Sequence, residues 1–200
     1  MVEALLVVMA RQGYEAASIG QIARQAGLTA GLVHYHFRSK QEILLALLDE
    51  LARRHFEGLA AVLAGAGESA AAQLSAFIDR HLAVGASADP DELACWVLLG
   101  AEAIRQPQVC QAQQQVVQRL AALLREIIER GIEQRLFSCD SSAAAAGALL
   151  AVIQGYYMIA STARMQIPRG SAAPSARKMA EGLLSASLPR RARRSRGSRR

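Results

Sequence analysis

The chain has 200 residues, of which 52% are hydrophobic and 20% are charged, a composition that suits a buried core and excludes a disordered protein. Only 4% of the residues are aromatic and about a fifth are alanine, which favours helices and argues against an all-β fold. The formal charge of +6 falls to −1 when the seven arginines among residues 189–200 are left out. Because the rest of the chain is almost neutral, its bulk charge does not by itself indicate a nucleic-acid partner.

The predicted elements are all helices, and capping residues mark where they begin. The first helix ends at Gly13, which we expect to be a left-handed cap. The stretches Ser18–Gln21 and Ser39–Glu42 have the capping-box spacing, Thr29 is a good cap for a short third helix, and Asp89 caps the sixth. The expected helices cover residues 2–12, 18–25, 29–37, 39–63, 69–85, 90–105, 107–135, 141–163 and 175–188.

We find no alternating strand pattern and no repeat, so the predicted fold is all-α with about nine helices. We divide the chain into a helix-turn-helix domain at residues 1–57, a ligand-binding and dimerisation domain at 58–188, and a disordered arginine-rich tail at 189–200. The tail is interpreted as a solvated run of charge, and sequence-independent phosphate contact is the alternative.

The cysteines and the apolar first residues indicate the cellular compartment that the sequence suits. Cys95, Cys110 and Cys139 are odd in number and far apart, which excludes a disulfide framework and a cysteine-rich zinc site and fits a reduced, cytoplasmic protein. They are interpreted as small buried apolar side chains, with a thiol sensor as the alternative. The apolar first residues include Glu3 and no basic residue, so no secretory signal is expected.

One charge-free segment lies between Asp140 and Arg164. A helix of that length could cross a bilayer, which makes a membrane protein one hypothesis. Its alanines add little to insertion and its Ser, Thr and Gln residues oppose it. We therefore expect a fully buried helix of a soluble protein with no membrane partner, placed within the core or at a subunit interface.

Residues 18–37 carry the pattern on which the functional prediction depends. Two capped helices meet at a short turn containing Gly27, which is the layout of a helix-turn-helix. Residues 1–57 hold six basic and six acidic residues, yet the stretch from Ser18 to Lys40 holds three basic residues and no acidic one. Because this positive charge is local, the segment is suited to meet a phosphate backbone.

The third predicted helix is the element that would enter a major groove, which is about 12 Å wide. Its first residues are small, so its backbone can approach the base edges. Ser18 and Thr29 lie at helix starts, where hydroxyl and N–H groups bind phosphate oxygens. His34 is the best candidate for reading a base. The predicted DNA contacts are Ser18, Thr29, Ala30, Gly31, His34, Tyr35, His36 and Lys40.

Residues 1–57 resemble the DNA-binding domain of the tetracycline-repressor (TetR) family of bacterial regulators. The resemblance is carried by Gly13-Tyr14, Ile22-Ala23, Ala26-Gly27, Gly31, Tyr35-x-Phe37 and Lys40. It implies a three-helix DNA module, a six-helix regulatory domain, a homodimer and a small-molecule effector that relieves repression. Within the family, the stretch is similar to repressors of choline-to-betaine pathways. Members usually carry a basic arm before the first helix, whereas this sequence starts almost at that helix, so contacts from an arm are not part of the expectation.

The resemblance also implies an effector pocket among the middle helices. For each candidate lining residue, ordinary core packing is the alternative, and both His55 and His81 are interpreted as ordinary helix-face residues. Trp96 and Glu102 together would attract a cationic ligand. The candidates are Phe77, His81, Trp96, Glu102, Gln154, Tyr157 and Met158.

The segments near 141–163 and 175–188 resemble the family's dimerisation helices, and their small residues allow close packing between subunits or within one chain. A dimer would place two recognition helices about 34 Å apart, on a pseudo-palindromic operator. The long helix from Ser39 is expected to connect effector and DNA.

His34 and His36 point about 200° apart on a helix, so no shared metal is expected. No catalytic or cofactor motif occurs, so we predict no enzyme and no cofactor. A helical ligand-binding protein or enzyme without DNA binding is the alternative.

Overall fold

The computed structural model describes residues 1–82, 90–162 and 166–189. Within these ranges the chain forms nine α-helices and no strand, which confirms the all-α prediction. The predicted cap at Asp89 and the predicted tail, from residue 190 onward, lie outside the described residues. The helices are α1 (Val2–Gln12), α2 (Ile19–Gln25), α3 (Ala30–His36), α4 (Lys40–Gly65), α5 (Ala70–Leu82), α6 (Pro90–Ala103), α7 (Pro107–Glu133), α8 (Ser142–Thr162) and α9 (Ala172–Leu183).

The predicted caps of α2 and α3 are present. The Ser18 hydroxyl accepts a hydrogen bond from the backbone N–H of Gln21 at 3.2 Å, and the Gln21 side chain accepts one from the Ser18 N–H at 2.8 Å. The Thr29 hydroxyl accepts from the N–H of Leu32 at 3.3 Å. Both short helices therefore begin where local side chains satisfy N–H groups that have no partner within the helix.

Two further helix ends differ in detail from the prediction. At the start of α4 the Ser39 hydroxyl accepts from the Glu42 N–H at 3.2 Å, but the Glu42 carboxylate accepts from the Arg38 N–H at 2.7 Å, so the capping box is not closed. Gly13 has the expected positive φ of 80°, but its ψ of 166° lies outside the left-handed helical region. Glycine is favoured there by the value of φ alone.

The last helix is displaced from its prediction. A helix over residues 175–188 is expected from the sequence, whereas α9 covers Ala172–Leu183. Pro174 lies in its first turn, where the missing N–H breaks no helical hydrogen bond. The helix ends before Ser185, whose φ of 47° is incompatible with a right-handed helix.

The C-terminal segment, residues 184–189, returns to the body of the protein. Leu184 and Leu188 are buried. The Ser75 hydroxyl on α5 donates a hydrogen bond to the carbonyl of Pro189 at 2.7 Å, and the Leu188 N–H donates to the Glu181 carboxylate at 3.1 Å. These contacts fix the path of the chain up to residue 189.

The hydrophobic core runs through the whole described structure, and α4 connects its two parts. The predicted boundary at residue 57 falls inside this continuous helix, so that division stays a prediction. Each fully buried large apolar side chain contributes about 1.5–3 kcal/mol. Buried residues of the first part include Leu5, Met9, Ile22, Val33 and Ile43, and those of the second include Leu59, Leu74, Phe77, Ile78, Leu99 and Ile127.

Within the single chain the charge-free helix is not fully buried, and its burial at a subunit interface stays a prediction. One face of α8 packs into the core through Ala145, Ala146, Leu149, Leu150 and Ile153. By length and composition the stretch Ser142–Ala160 could span a membrane, with a mean hydropathy of 1.6, and 28% of it is buried inside the chain. The opposite face is exposed and continues onto the neighbouring α9. This α8–α9 face comprises Gly147, Ala151, Gly155, Met158, Ile159, Met179 and Leu183.

Candidate nucleic-acid interface and regulatory core

Helix α3 directs most of its side chains to solvent. Val33 is its buried anchor, whereas Tyr35 is 83% exposed. His34 and His36 are also exposed, and the His36 ring meets Tyr35 edge to face with 5.1 Å between the ring centroids. Leu32, which the sequence analysis does not place among the contacts, exposes 42% of its surface. The outer face of α3 is therefore both polar and apolar, and open to a partner.

The residues that begin α2 and α3 also lie at the surface. Ser18, Thr29, Ala30 and Gly31 are all exposed. The Ser18 hydroxyl both accepts from the Gln21 N–H and donates to the Gln21 side chain. The Thr29 hydroxyl only accepts in its cap, so its proton can bind a phosphate oxygen. Thr29 is consequently the stronger of the two candidate phosphate contacts.

Lys40 is held in a way that the sequence does not predict. Its Nζ donates hydrogen bonds to the carbonyls of Tyr14 at 2.9 Å and Glu15 at 3.2 Å, and lies 4.2 Å from the centroid of the Tyr14 ring. These bonds tie the start of α4 to the segment after α1 and use two of the three N–H donors of the ammonium group. Arg24 and Arg38 are the exposed basic residues of this surface.

Five ring-bearing side chains from four helices meet in the second part of the molecule. They are His55 on α4, Phe77 and His81 on α5, Trp96 on α6 and Tyr157 on α8, and we call them the ring cluster. Phe77 stacks on His81 with 4.3 Å between centroids. The His55 and Trp96 centroids are 6.1 Å apart, and those of His81 and Tyr157 are 6.4 Å apart. Four of the five are candidates from the sequence; His55 is the addition.

The two histidines of the cluster bond to each other. Their Nε2 atoms are 3.0 Å apart, and Nδ1 of His81 is 2.8 Å from the Phe77 carbonyl oxygen. Because a carbonyl only accepts, Nδ1 of His81 carries the proton, its Nε2 accepts, and His55 donates. Burial lowers the pKa of His55 to about 4 and that of His81 to about 3. Both rings are therefore neutral at physiological pH.

The sequence pattern could have indicated that His55 is buried, because it lies four residues after Leu51 and four before Leu59 on the buried face of α4. Tyr157 is also affected by burial, which raises the pKa of its hydroxyl. Two charges act on the same pKa in opposite directions: Arg80 lowers it, and Glu92, with the smaller effect, raises it. Among the residues that the structure describes, no group of three or more His, Cys, Asp or Glu side chains is arranged to hold a metal ion.

Three predicted pocket residues lie elsewhere. Glu102 is 7% exposed, but it accepts a hydrogen bond from the Gln106 amide at 2.8 Å, while Trp96 packs against His55. The structure therefore does not bring Trp96 and Glu102 together, since residues six positions apart on a helix point in different directions. Gln154 and Met158 lie on the exposed side of α8 and do not line the ring cluster in the single chain.

Comparison with known proteins extends these observations. Residues 2–47 match the family described as bacterial regulatory proteins, tetR family, and residues 70–189 match the family described as BetI-type transcriptional repressor, C-terminal. The HTH-type transcriptional regulator BetI of Rhizobium meliloti (strain 1021) is 29% identical over 161 residues, which cover 79% of this chain and 74% of the relative. The protein of the same name from Stenotrophomonas maltophilia (strain R551-3) is 27% identical over 146 residues, covering 73% and 71%.

Solved structures share the fold. A transcriptional regulator from Rhodococcus sp. Rha1 superposes with a TM-score of 0.81 at 22% identity, covering 94% of this chain and 97% of the other. A transcriptional regulator from Saccharomonospora viridis, solved in complex with choline, gives a TM-score of 0.78 at 23% identity, covering 95% and 96%. The matched families are regulators of transcription and not enzymes. With more than half of its residues inside the BetI-type match and its first helices inside the tetR match, the chain belongs to the TetR family of bacterial transcriptional regulators.

Proposed function

We propose that this regulator binds a pseudo-palindromic operator as a homodimer, represses transcription there, and is released when a small molecule occupies its regulatory domain. The exposed α3, with Tyr35 and His36 at its surface, is the observation that carries the DNA-binding part of the proposal. Arg24 and Arg38 lie near this helix and no acidic residue occurs from 18 to 40. Such a surface can contact phosphates and present side chains to base edges together.

The homodimer is supported by the α8–α9 face. Large apolar surfaces are rarely left open on soluble proteins, and a second copy would cover this one with the same residues. Gly147, Ala151 and Gly155 would let the two α8 helices approach closely. Burial of α8 between two subunits would also account for its high hydropathy in a soluble, cytoplasmic regulator. The dimer would in addition fix the distance between the two recognition helices.

The ring cluster supports a site for the effector, and choline is the first compound to test. Choline occurs in the complex of the Saccharomonospora viridis protein. Aromatic faces attract quaternary ammonium ions, and Trp96 is the strongest of the cluster in this respect. A ligand relieves repression only if it binds the DNA-free conformation more tightly than the DNA-bound one.

The first experiment is selection of duplexes from a random-sequence pool by the purified full-length protein, followed by electrophoretic shift with the selected duplex. We expect a two-fold symmetric sequence, bound as a 2:1 protein–duplex complex. Titration with choline, read through the single Trp96, should change its emission and weaken the shift. If no duplex is selected, the chain is a ligand-binding protein without DNA binding; if the duplex binds and choline has no effect, the effector belongs to another class.

A further inference from the structure

Gln113 is a polar residue on the buried face of α7. It lies four residues after Val109 and three before Val116, which are both buried, and residues at these spacings share one side of a helix. Its side-chain oxygen Oε1 is buried and accepts no hydrogen bond. Within the part of the chain that the structure describes, no other buried side-chain nitrogen or oxygen lacks a partner. Because buried polar atoms of native proteins are almost always paired, this acceptor requires an explanation.

The packing of α8 on α7 indicates where Gln113 lies relative to the ring cluster. The two helices follow each other in the chain and pack together. The Ser142 hydroxyl at the start of α8 donates to the Glu129 carboxylate near the end of α7 at 2.9 Å, so the helices run antiparallel. Tyr157 lies 15 residues after Ser142, and residue 114 lies 15 before Glu129. Gln113 is therefore at the level of Tyr157.

The packing of α6 on α7 leads to the same level. These two helices also follow each other and pack together, and the Gln106 amide donates to the Glu102 carboxylate where the chain turns. Trp96 lies six residues before Glu102, and residue 112 lies six after Gln106. Two members of the ring cluster, on two different helices, thus lie at the level of the unpaired Gln113 oxygen.

The chemistry of this oxygen restricts what can pair with it. An amide oxygen only accepts, so its partner must carry an O–H or N–H group. The aromatic faces of the ring cluster attract quaternary ammonium ions, and such an ion has no N–H to donate. The donor must then be a second group on the same molecule. A hydroxyl provides one, whereas a carboxylate would place two acceptors against each other.

We propose that Gln113 determines the specificity of the effector site: its Oε1 accepts a hydrogen bond from the hydroxyl of a ligand whose quaternary ammonium group lies against the ring cluster. This inference rests on the proposed effector site. It names the ligand class as quaternary amino alcohols and excludes their carboxylated counterparts. A ligand without the hydroxyl leaves the amide oxygen buried and unpaired, and it loses affinity for that reason.

The test is isothermal titration calorimetry of the full-length protein with three compounds that share a trimethylammonium group. Choline carries a hydroxyl, ethyltrimethylammonium is the same molecule without it, and glycine betaine carries a carboxylate. In the wild type we expect choline to bind about tenfold more tightly than the other two. In Gln113→Met, which keeps the length of the side chain and removes its amide, choline and ethyltrimethylammonium should bind equally. Gln115→Met makes the same change at an exposed position of α7 and should keep the wild-type preference.

The melting temperature of the ligand-free protein, measured by circular dichroism, is a second and independent readout. Gln113→Met removes an unpaired buried amide, so it should melt at the wild-type temperature or above it. A lower melting temperature would show that the amide is paired in the free protein, which overturns the inference.

Three binding results also overturn it: equal wild-type affinity for choline and ethyltrimethylammonium, a wild-type preference for betaine, and an unchanged choline preference in Gln113→Met. Binding of none of the three compounds overturns it as well. The electrophoretic shift with the selected duplex then decides separately whether the proposed operator binding holds.

Discussion

The Nε2 atoms of His55 and His81 lie 3.0 Å apart where α4 and α5 cross, and neither ring is charged. Burial, the first cause, lowers their pKa values from 6.5 to about 4 and about 3. Unfolding below pH 6.5 therefore takes up protons that the folded protein does not bind, so stability is lost as pH falls from the ordinary histidine pKa towards the folded values. We expect a loss on the order of 2 kcal/mol per histidine at about pH 5.

Urea unfolding of the wild type at neutral and at mildly acidic pH measures this loss. The matched comparison is a His55→Gln/His81→Gln protein, which should be less stable at neutral pH but should depend less on pH in the acidic range. An equal pH dependence in the two proteins would assign the effect to other groups.

The outer face of α3 predicts how DNA affinity responds to substitution. Tyr35→Ala and His36→Ala should each weaken operator binding by about 1–3 kcal/mol, and they should leave the melting temperature almost unchanged because both side chains are exposed. Fluorescence anisotropy with the selected duplex measures the affinity. Gln118→Ala on α7, exposed but remote in sequence, is the control and should bind as the wild type does.

A charged substitution on the α8–α9 face should dissociate the proposed homodimer. Ala151→Arg puts a long charged side chain on this exposed face, where a second copy would have to bury it without a partner. Sedimentation should show a dimer for the wild type and a monomer for this variant at micromolar concentration. Ala122→Arg makes the same change at an exposed position of α7 and should sediment as the wild type. A monomeric wild type would contradict the proposed dimer.

An ion pair between Arg177 of α9 and Asp79 of α5 should stabilise the fold strongly. Each side chain is only 13% exposed, so removing one partner leaves the other charge poorly solvated. Asp79→Asn should lower the free energy of unfolding by about 3 kcal/mol. Lys178→Ala, which breaks the exposed pair with Glu181, should change it by less than about 1 kcal/mol. Urea denaturation measures the free energy of unfolding of both variants. Equal losses would contradict the prediction that the buried ion pair stabilises the fold more than the exposed one.

The fold was predictable where it depends on local chemistry. Ser18, Thr29 and Ser39 begin helices because each hydroxyl accepts a hydrogen bond from the backbone N–H three residues later, a bond that sequence spacing predicts. The exposed side of α8 was not predictable, because that helix is apolar on every side and its period does not distinguish a core from a subunit interface. The start of α9 was also not predictable from the sequence. Pro174 is compatible with the first turn of a helix, where the structure has it, and equally with a loop before the helix.

The candidate site was predictable only in part, for a related reason. Phe77, His81, Trp96 and Tyr157 converge because apolar helix faces point inward, which periodicity indicates. Glu102 lies on another side of α6, and its partner Gln106 follows the end of that helix. The hydrogen bond from Gln41 to Gln106 is a tertiary contact between distant segments. The ammonium group of Lys40 likewise donates hydrogen bonds to the carbonyls of Tyr14 and Glu15, and the sequence pattern does not predict these contacts.

The hydrogen bond from Ser75 to the Pro189 carbonyl determines where the protein can be shortened. All seven arginines of the C-terminal stretch follow Pro189, so a stop codon after this proline removes their charge and keeps the bond to α5. A stop one residue earlier removes the acceptor and leaves the Ser75 hydroxyl, on a residue that is 5% exposed, without this partner. Only the truncation directly after Pro189 gives a protein that differs from the full chain in charge and keeps the bond to α5.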